Sequence, residues 1–231
     1  IAITASHNPK EWNGLKFVNS SGIFLDADEN KKLWETVDSG SFFYEKENFQ
    51  NIIYIDDAVN RHINSILSLP LFEKLIGKIK ERKFRVVVDA VNASGSYAIP
   101  ELLERLGCDV IRLHCAANGM FPHTPEPVTE NLTELAKKTK DEDADLGIAV
   151  DPDADRLVLI DENGEPIGEE KTVAISVKAV LKNKEFFNDY ADKAVVNYST
   201  TRLTEEIAAQ FDAEISRSPV GEINVVKKMK E

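Results

Sequence analysis

At 231 residues, with 42% apolar and 29% charged side chains, the chain is long enough for one large globular unit or two small ones and has an ordinary globular composition. Its 40 acidic against 28 basic residues give a formal net charge of −12, which argues against nucleic acid or an anionic membrane surface as partner. No apolar run nears the roughly 18 residues of a membrane span, the opening residues carry no secretory pattern, and Cys108 and Cys115 lack metal-ligand spacing; the expected compartment is reducing, the cytoplasm.

The chain opens on Ile1-Ala2-Ile3, which reads as the end of a buried strand, and closes on Val225–Glu231, inside an amphipathic helical pattern. Both ends suggest the middle portion of a longer protein. The polar loop Thr4 to Gly14 leads into a short strand, Leu15-Lys16-Phe17-Val18. Asp26 to Val37 has helical spacing and an acidic first turn. Val59, Ile63, Ile66 and Leu67 give Ile55–Leu69 the period of an amphipathic helix, which Pro70 interrupts before a second helical stretch to Lys80. The first boundary falls near Tyr54.

Arg85 to Asp89 reads as a buried strand, followed by a loop at Gly95, a helix from about Tyr97 to Leu106, and a strand from Val110 to Leu113. This β-loop-α-β order predicts a parallel crossover. Leu132 to Lys140 is helical, and two apolar strands, Leu146–Val150 and Leu157–Ile160, flank an acidic loop. Asn163-Gly164 signals a hairpin turn after the second. From about Ile167 another α/β layer begins: helix Lys171–Leu181, strand Ala194–Tyr198 and helix Arg202–Phe211. The expected class is α/β, with repeated mixed-sheet units over 1–53, 54–166 and 167–231.

The acidic loop, Asp151-Pro152-Asp153-Ala154-Asp155-Arg156, carries the strongest chemical signal. Three carboxylates in five residues repel one another unless a positive charge sits among them, and oxygen-only donors suit magnesium, calcium or manganese. Arg156 adds a forked donor for phosphate or carboxylate. An EF-hand register would put Asp151, Asp153, Asp155 and Glu162 at its first, third, fifth and twelfth positions, but the sixth, which needs Gly, is Arg156. A solvated turn, or a phosphatase with an aspartyl nucleophile, remains open from this loop alone.

The second cluster is Thr4-Ala5-Ser6-His7-Asn8-Pro9, in which a serine directly follows a strand beside a histidine. Such a hydroxyl can act as a nucleophile if its proton is taken or if it carries a phosphate; a polar turn opened by Asn8-Pro9 is the competing reading. Adjacency alone does not make His7 a triad base, and the Gly-x-Ser-x-Gly elbow of acyl hydrolases is missing. Lys16, on the strand leaving this loop, can return to it. Since the global charge repels anions, a phosphorylated substrate would rely on Lys10, Lys16, Arg156 and the metal loop.

The serine loop, continued by Asn13-Gly14-Leu15-Lys16-Phe17, resembles the active-site serine loop of the α-D-phosphohexomutases, and Asp151–Arg156 resembles that family's metal loop. Val87-Val88-Asp89 with Gly95, Phe121-Pro122 with Pro125-Glu126-Pro127, Ser199-Thr200-Thr201-Arg202-Leu203 and Pro219-Val220-Gly221 are also similar. The resemblance covers essentially the whole chain. It implies a phosphosugar mutase of phosphomannomutase/phosphoglucomutase type, an isomerase interconverting hexose 1- and 6-phosphates through a phosphoserine and a hexose bisphosphate. Ser6 would carry the phosphate; Mg2+ would be held by Asp151, Asp153, Asp155 and the Ser6 phosphate; Arg156, Lys16 and His7 would assist the transfer. The three units would then be the end of a first domain, a metal-binding second domain and the start of a third. Against the family pattern, the opening strands, the sugar-specificity loop and the fourth domain are not in the chain, so the isolated chain is expected to be inactive. A lysine common in relatives is Pro219 here. Phosphoglucosamine mutase and a non-catalytic metal- and phosphate-binding module are the alternatives.

Overall fold

The computed structural model describes residues 1–41, 51–187 and 192–231. The fold is α/β with mixed sheets. At the start, β1 (Ala2–Ile3) pairs antiparallel with β2 (Leu15–Lys16), shorter than the expected strand; Val18 instead bridges Phe24 alone. Helix α1 (Ala27–Ser39) begins at Asp26, whose carboxylate accepts the Glu29 N–H while Glu29 reaches back to the Asp26 N–H, and it ends at Gly40 in the left-handed region (φ 63°). The segment 42–50 of the first expected unit lies outside the described residues.

Helices α2 (Ala58–Leu67) and α3 (Pro70–Arg82) divide at Pro70, which occupies the first turn of α3, where its missing N–H costs no helical bond. They lead into a four-stranded sheet of order β4-β3-β5-β6, built from β3 (Arg85–Asp89), β4 (Asp109–Leu113), β5 (Leu146–Val150) and β6 (Leu157–Ile160). Strand β3 runs parallel to both β4 and β5, whereas β5 and β6 are antiparallel. The Val86-Val87-Val88 run is buried throughout, as expected for a central strand covered on both faces.

Helix α5 (Thr133–Asp141) packs Leu135, with the preceding Leu132, onto Val87, Ala149, Val158 and Ile160. Gly147 makes that approach possible: a Cβ there would lie 2.5 Å from Thr139 Oγ1 and 2.9 Å from Ile160 Cβ. On the opposite face of β5, Val150 meets the amino end of α4 (Gly95–Arg105). In register, Asp89 pairs with Leu113 of β4 and Ala149 of β5, so the carboxyl ends of three parallel strands share one edge. That edge is where an open α/β sheet binds ligands.

Beyond β6, the Asn163-Gly164 turn forms as expected, but its return is a single bridge between Ile160 and Pro166. Helix α6 (Glu169–Lys182) then packs with α7 (Leu203–Ala209) around Ala174, Leu181, Ile207 and Ala208. Strand β7 (Lys193–Asn197) pairs in parallel with β8 (Glu214–Ser218), and α8 (Glu222–Met229) follows. Lys227 of α8 donates to the Asp26 carboxylate at 2.8 Å, tying the last helix to the cap of the first. No described helix is long and apolar enough to cross a membrane.

Candidate active site

The aspartate loop joins the antiparallel strands β5 and β6 and is wound around its first residue. Asp151 is fully buried, and its Oδ1 accepts the N–H groups of Asp155 and Arg156, both at 3.1 Å. Its backbone carbonyl accepts the Ala154 N–H at 3.0 Å, with Ala154 left-handed at φ 59°. Ser94, just before α4, fastens the loop from outside through its Oγ to the Pro152 carbonyl at 2.5 Å. The winding brings one oxygen of each of Asp151, Asp153 and Asp155 within 4.8 Å of the others.

Two buried oxygens of this triad, Asp151 Oδ2 and Asp153 Oδ1, have no hydrogen-bond partner. Burial, reinforced by the charges of Asp155 and Asp153 and opposed by the Arg156 N–H, pushes the Asp151 carboxyl up to about 6. Burial acts in the same direction on Asp153, but hydrogen bonds from Lys16 and Thr4 outweigh it and hold that carboxyl below its ordinary value. Unpartnered buried oxygens on an all-carboxylate donor set are what a hard cation such as Mg2+ satisfies, so these residues fit that ion.

The serine loop comes to the triad from β1 and β2. Lys16 Nζ donates to Asp153 Oδ2 at 2.8 Å and Asp155 Oδ2 at 3.1 Å, and these contacts raise its pKa. Thr4 Oγ1 accepts the Ser6 N–H at 2.9 Å and donates to Asp153 Oδ2 at 3.1 Å, linking the serine backbone directly to a triad carboxylate. Ser6 is itself left-handed (φ 51°), a conformation costing a non-glycine residue about 1–3 kcal/mol and concentrated at functional sites. In this conformation Ser6 Oγ lies 3.2 Å from His7 Nδ1, so adjacency does not keep the two side chains apart.

Glu126 completes the arrangement and was not singled out as a site residue from sequence. Its Oε1 accepts from Arg156 Nη1 at 3.0 Å and lies 3.9 Å from His7 Nε2. The sequence signals for it are its place between two prolines, Pro125 and Pro127, which stiffen the segment, and the family resemblance of that segment, neither of which assigns Glu126 a role. Ser6, Asn8, Asn13, Gly119, Phe121 and Pro152 line a cleft of about 480 Å³. Thus Ser6, His7, Lys16, Arg156 and the three aspartates all belong to one contact network. Lys10 lines the cleft but forms no hydrogen bond or ion pair with the triad. An apolar cavity of about 350 Å³ lies at the other end of the sheet, under Phe84 and Asp145, away from this chemistry.

Two models of one family match the chain: phosphoglucomutase/phosphomannomutase alpha/beta/alpha domain I over residues 1–43, and domain II over residues 60–164. A phosphoglucomutase/phosphomannomutase of Thermococcus kodakarensis is 36% identical over 99% of this chain and 48% of its own length. A phosphoglucosamine mutase of Methanococcus vannielii is 32% identical over 97% of this chain and 49% of its own. The chain therefore spans about half the length of the curated relatives it matches. A crystal structure of a phosphoglucomutase/phosphomannomutase family protein from Burkholderia thailandensis superposes with a TM-score of 0.76 at 26% identity, covering 99% of this chain and 46% of that one.

Proposed function

Because the chain belongs to the phosphoglucomutase/phosphomannomutase family, we propose that it is the part of a phosphohexose mutase that carries the phosphoserine and the metal triad. In this reading the three units 1–53, 54–166 and 167–231 are the end of a first domain, a whole second domain and the start of a third. The whole protein interconverts hexose 1-phosphates and hexose 6-phosphates through a hexose bisphosphate, in the cytoplasm. The observation that carries the reading is the joining of the two loops: Lys16 of the serine strand reaches Asp153, 137 positions away, at 2.8 Å.

Asp151, Asp153, Asp155 and a phosphate oxygen on Ser6 are the groups that would hold Mg2+. When bound, that ion neutralises charge on the oxygens of the transferring phosphoryl group. Phosphoryl transfer asks a protein mainly for positioning and charge neutralisation. Ser6 Oγ gives its phosphoryl group to one sugar hydroxyl: the P–Oγ bond breaks, a P–O bond to the sugar forms, and the proton lost by the sugar hydroxyl is balanced by one taken up at Ser6 Oγ. In the return step the serine hydroxyl is rephosphorylated by the other phosphate of the bisphosphate. His7 Nδ1, 3.2 Å from Ser6 Oγ, is assigned the serine proton in that exchange. Lys16 and Arg156 supply positive charge beside the phosphoryl group, and Glu126 fixes the direction of the Arg156 guanidinium.

Peptide mass analysis of the full-length protein should find one phosphoryl group on Ser6, and Ser6→Ala should abolish both that group and turnover of hexose 1-phosphates. Undiminished turnover in Ser6→Ala would refute the assignment. A protein that binds Mn2+ at the triad without ever becoming phosphorylated would instead be a non-catalytic binding module. The relative from Methanococcus vannielii favours glucosamine phosphates as the second candidate substrate, with mannose and glucose phosphates first. A coupled assay on the three 1-phosphates separates them.

A further inference from the structure

One strand over from β5, the same edge of the sheet gathers a second cluster with different donors. Asp89, the last residue of β3, is 2% exposed. Its Oδ1 accepts the Val91 N–H at 2.9 Å, which leaves Oδ2 turned to His123 Nε2 at 3.0 Å. His114, the first residue after β4, is held left-handed at φ 50°. Its ring meets that of His123 edge-on, with centroids 5.5 Å apart. One donor atom from each of Asp89, His114 and His123 lies within 4.8 Å of the other two.

We propose that Asp89, His114 and His123 form a second metal site, which takes a zinc-class divalent cation rather than magnesium. Two imidazoles with one carboxylate are a donor set that favours zinc or cobalt, whereas the all-oxygen triad of Asp151, Asp153 and Asp155 favours a harder ion. The surrounding hydrogen bonds are those of a ligand shell. The Thr124 carbonyl lies 2.8 Å from His123 Nδ1 and accepts its proton, which orients the ring so that a cation displacing the proton on Nε2 would meet that nitrogen beside Asp89 Oδ2. Glu134 Oε2 is 3.2 Å from His114 Nε2, where it either orients that ring or supplies a fourth donor. Donors around tetrahedral zinc are about 3.3 Å apart, which the Asp89–His123 pair already matches.

Contacts with Asp89 and Glu134 account for His123 and His114 taken singly, but not for the two imidazoles being brought edge-on beside one buried carboxylate. The cation has a structural task here. The segment from His114 to Glu126 contributes Gly119 and Phe121 to the Ser6 cleft and carries Glu126, the partner of Arg156. Clamping both His114 and His123 to β3 fixes that wall.

The test is a titration of the chelator-treated purified protein with Co2+, read by visible absorption. One equivalent should give the intense bands of four-coordinate Co2+, abolished by Zn2+ and unaffected by excess Mg2+. His114→Asn suits the left-handed backbone and removes the ligand ring, so it should weaken Co2+ binding by at least about 100-fold while the far-ultraviolet circular dichroism stays unchanged. Asp155→Asn should leave the bands intact. Absence of four-coordinate bands in the unaltered protein, their persistence in His114→Asn, or their loss in Asp155→Asn would each overturn the proposal.

Discussion

Lys16 in β2 and Asp153 in the loop between β5 and β6 are 137 positions apart and meet in a 2.8 Å hydrogen bond that joins the serine loop to the aspartate triad. The same ammonium also holds Asp155 at 3.1 Å, so it competes with any cation for two of the three carboxylates. Lys16→Met should therefore tighten Mn2+ binding severalfold, measured by calorimetry on the purified protein. In the full-length enzyme the same change should cut kcat by about 100-fold, because a charge beside the transferring phosphoryl group is lost. Unchanged Mn2+ affinity together with unchanged kcat would remove Lys16 from the site.

Asp151 holds the aspartate loop through Oδ1 yet leaves Oδ2 buried and unpartnered. Asp151→Asn keeps the acceptor, removes a buried charge next to Asp153 and adds an amide that can donate to it. In chelator the variant should be more stable than the parent by about 1–3 kcal/mol, or several degrees in Tm. The stabilisation that saturating Mn2+ gives the parent, about 2.7 kcal/mol at a hundredfold excess over Kd, should vanish. A melting series with and without Mn2+ measures both effects.

Glu126 gathers Arg156 and His7 through a single oxygen. Replacing it by Gln keeps the shape but removes the charge that orients the guanidinium. The expected loss in kcat/KM is about 10-fold, arising from substrate positioning, with phosphorylation of Ser6 still detectable. A variant with normal kinetics would reduce Glu126 to a structural contact.

Between β8 and α7, Arg217 Nε donates to Glu205 Oε1 at 2.7 Å, and this bond, against a smaller opposing effect of burial, lowers the Glu205 pKa to about 2. A carboxyl with a depressed folded-state pKa stabilises fully above its unfolded value of 4.5 and loses that contribution as pH falls toward 2. Denaturation of the parent and of Glu205→Gln should differ by about 0.5–1 kcal/mol at neutral pH, since the pair is partly exposed. The difference should shrink below pH 4.5. A difference independent of pH would assign the effect to packing instead.

What local chemistry dictates was legible in the chain itself. The apolar Val86–Val88 centre of β3 and the apolar β5, the proline break between α2 and α3, and an acidic loop between two apolar strands follow from periodicity and turn residues, whose causes lie within a few positions. Strand β8, Glu-Ile-Ser-Arg-Ser, was not foreseen, because it has one apolar side chain and exists through its pairing with β7 and its contacts with α7 and α8. The two loops announced metal and phosphate chemistry separately. Their union through Thr4, Lys16 and Asp153, the recruitment of Glu126, and the meeting of Asp89 with His114 and His123 were decided only in three dimensions. A carboxylate's partners at such separations are set by which strand ends share a sheet edge, and no short-range pattern in the sequence records that register.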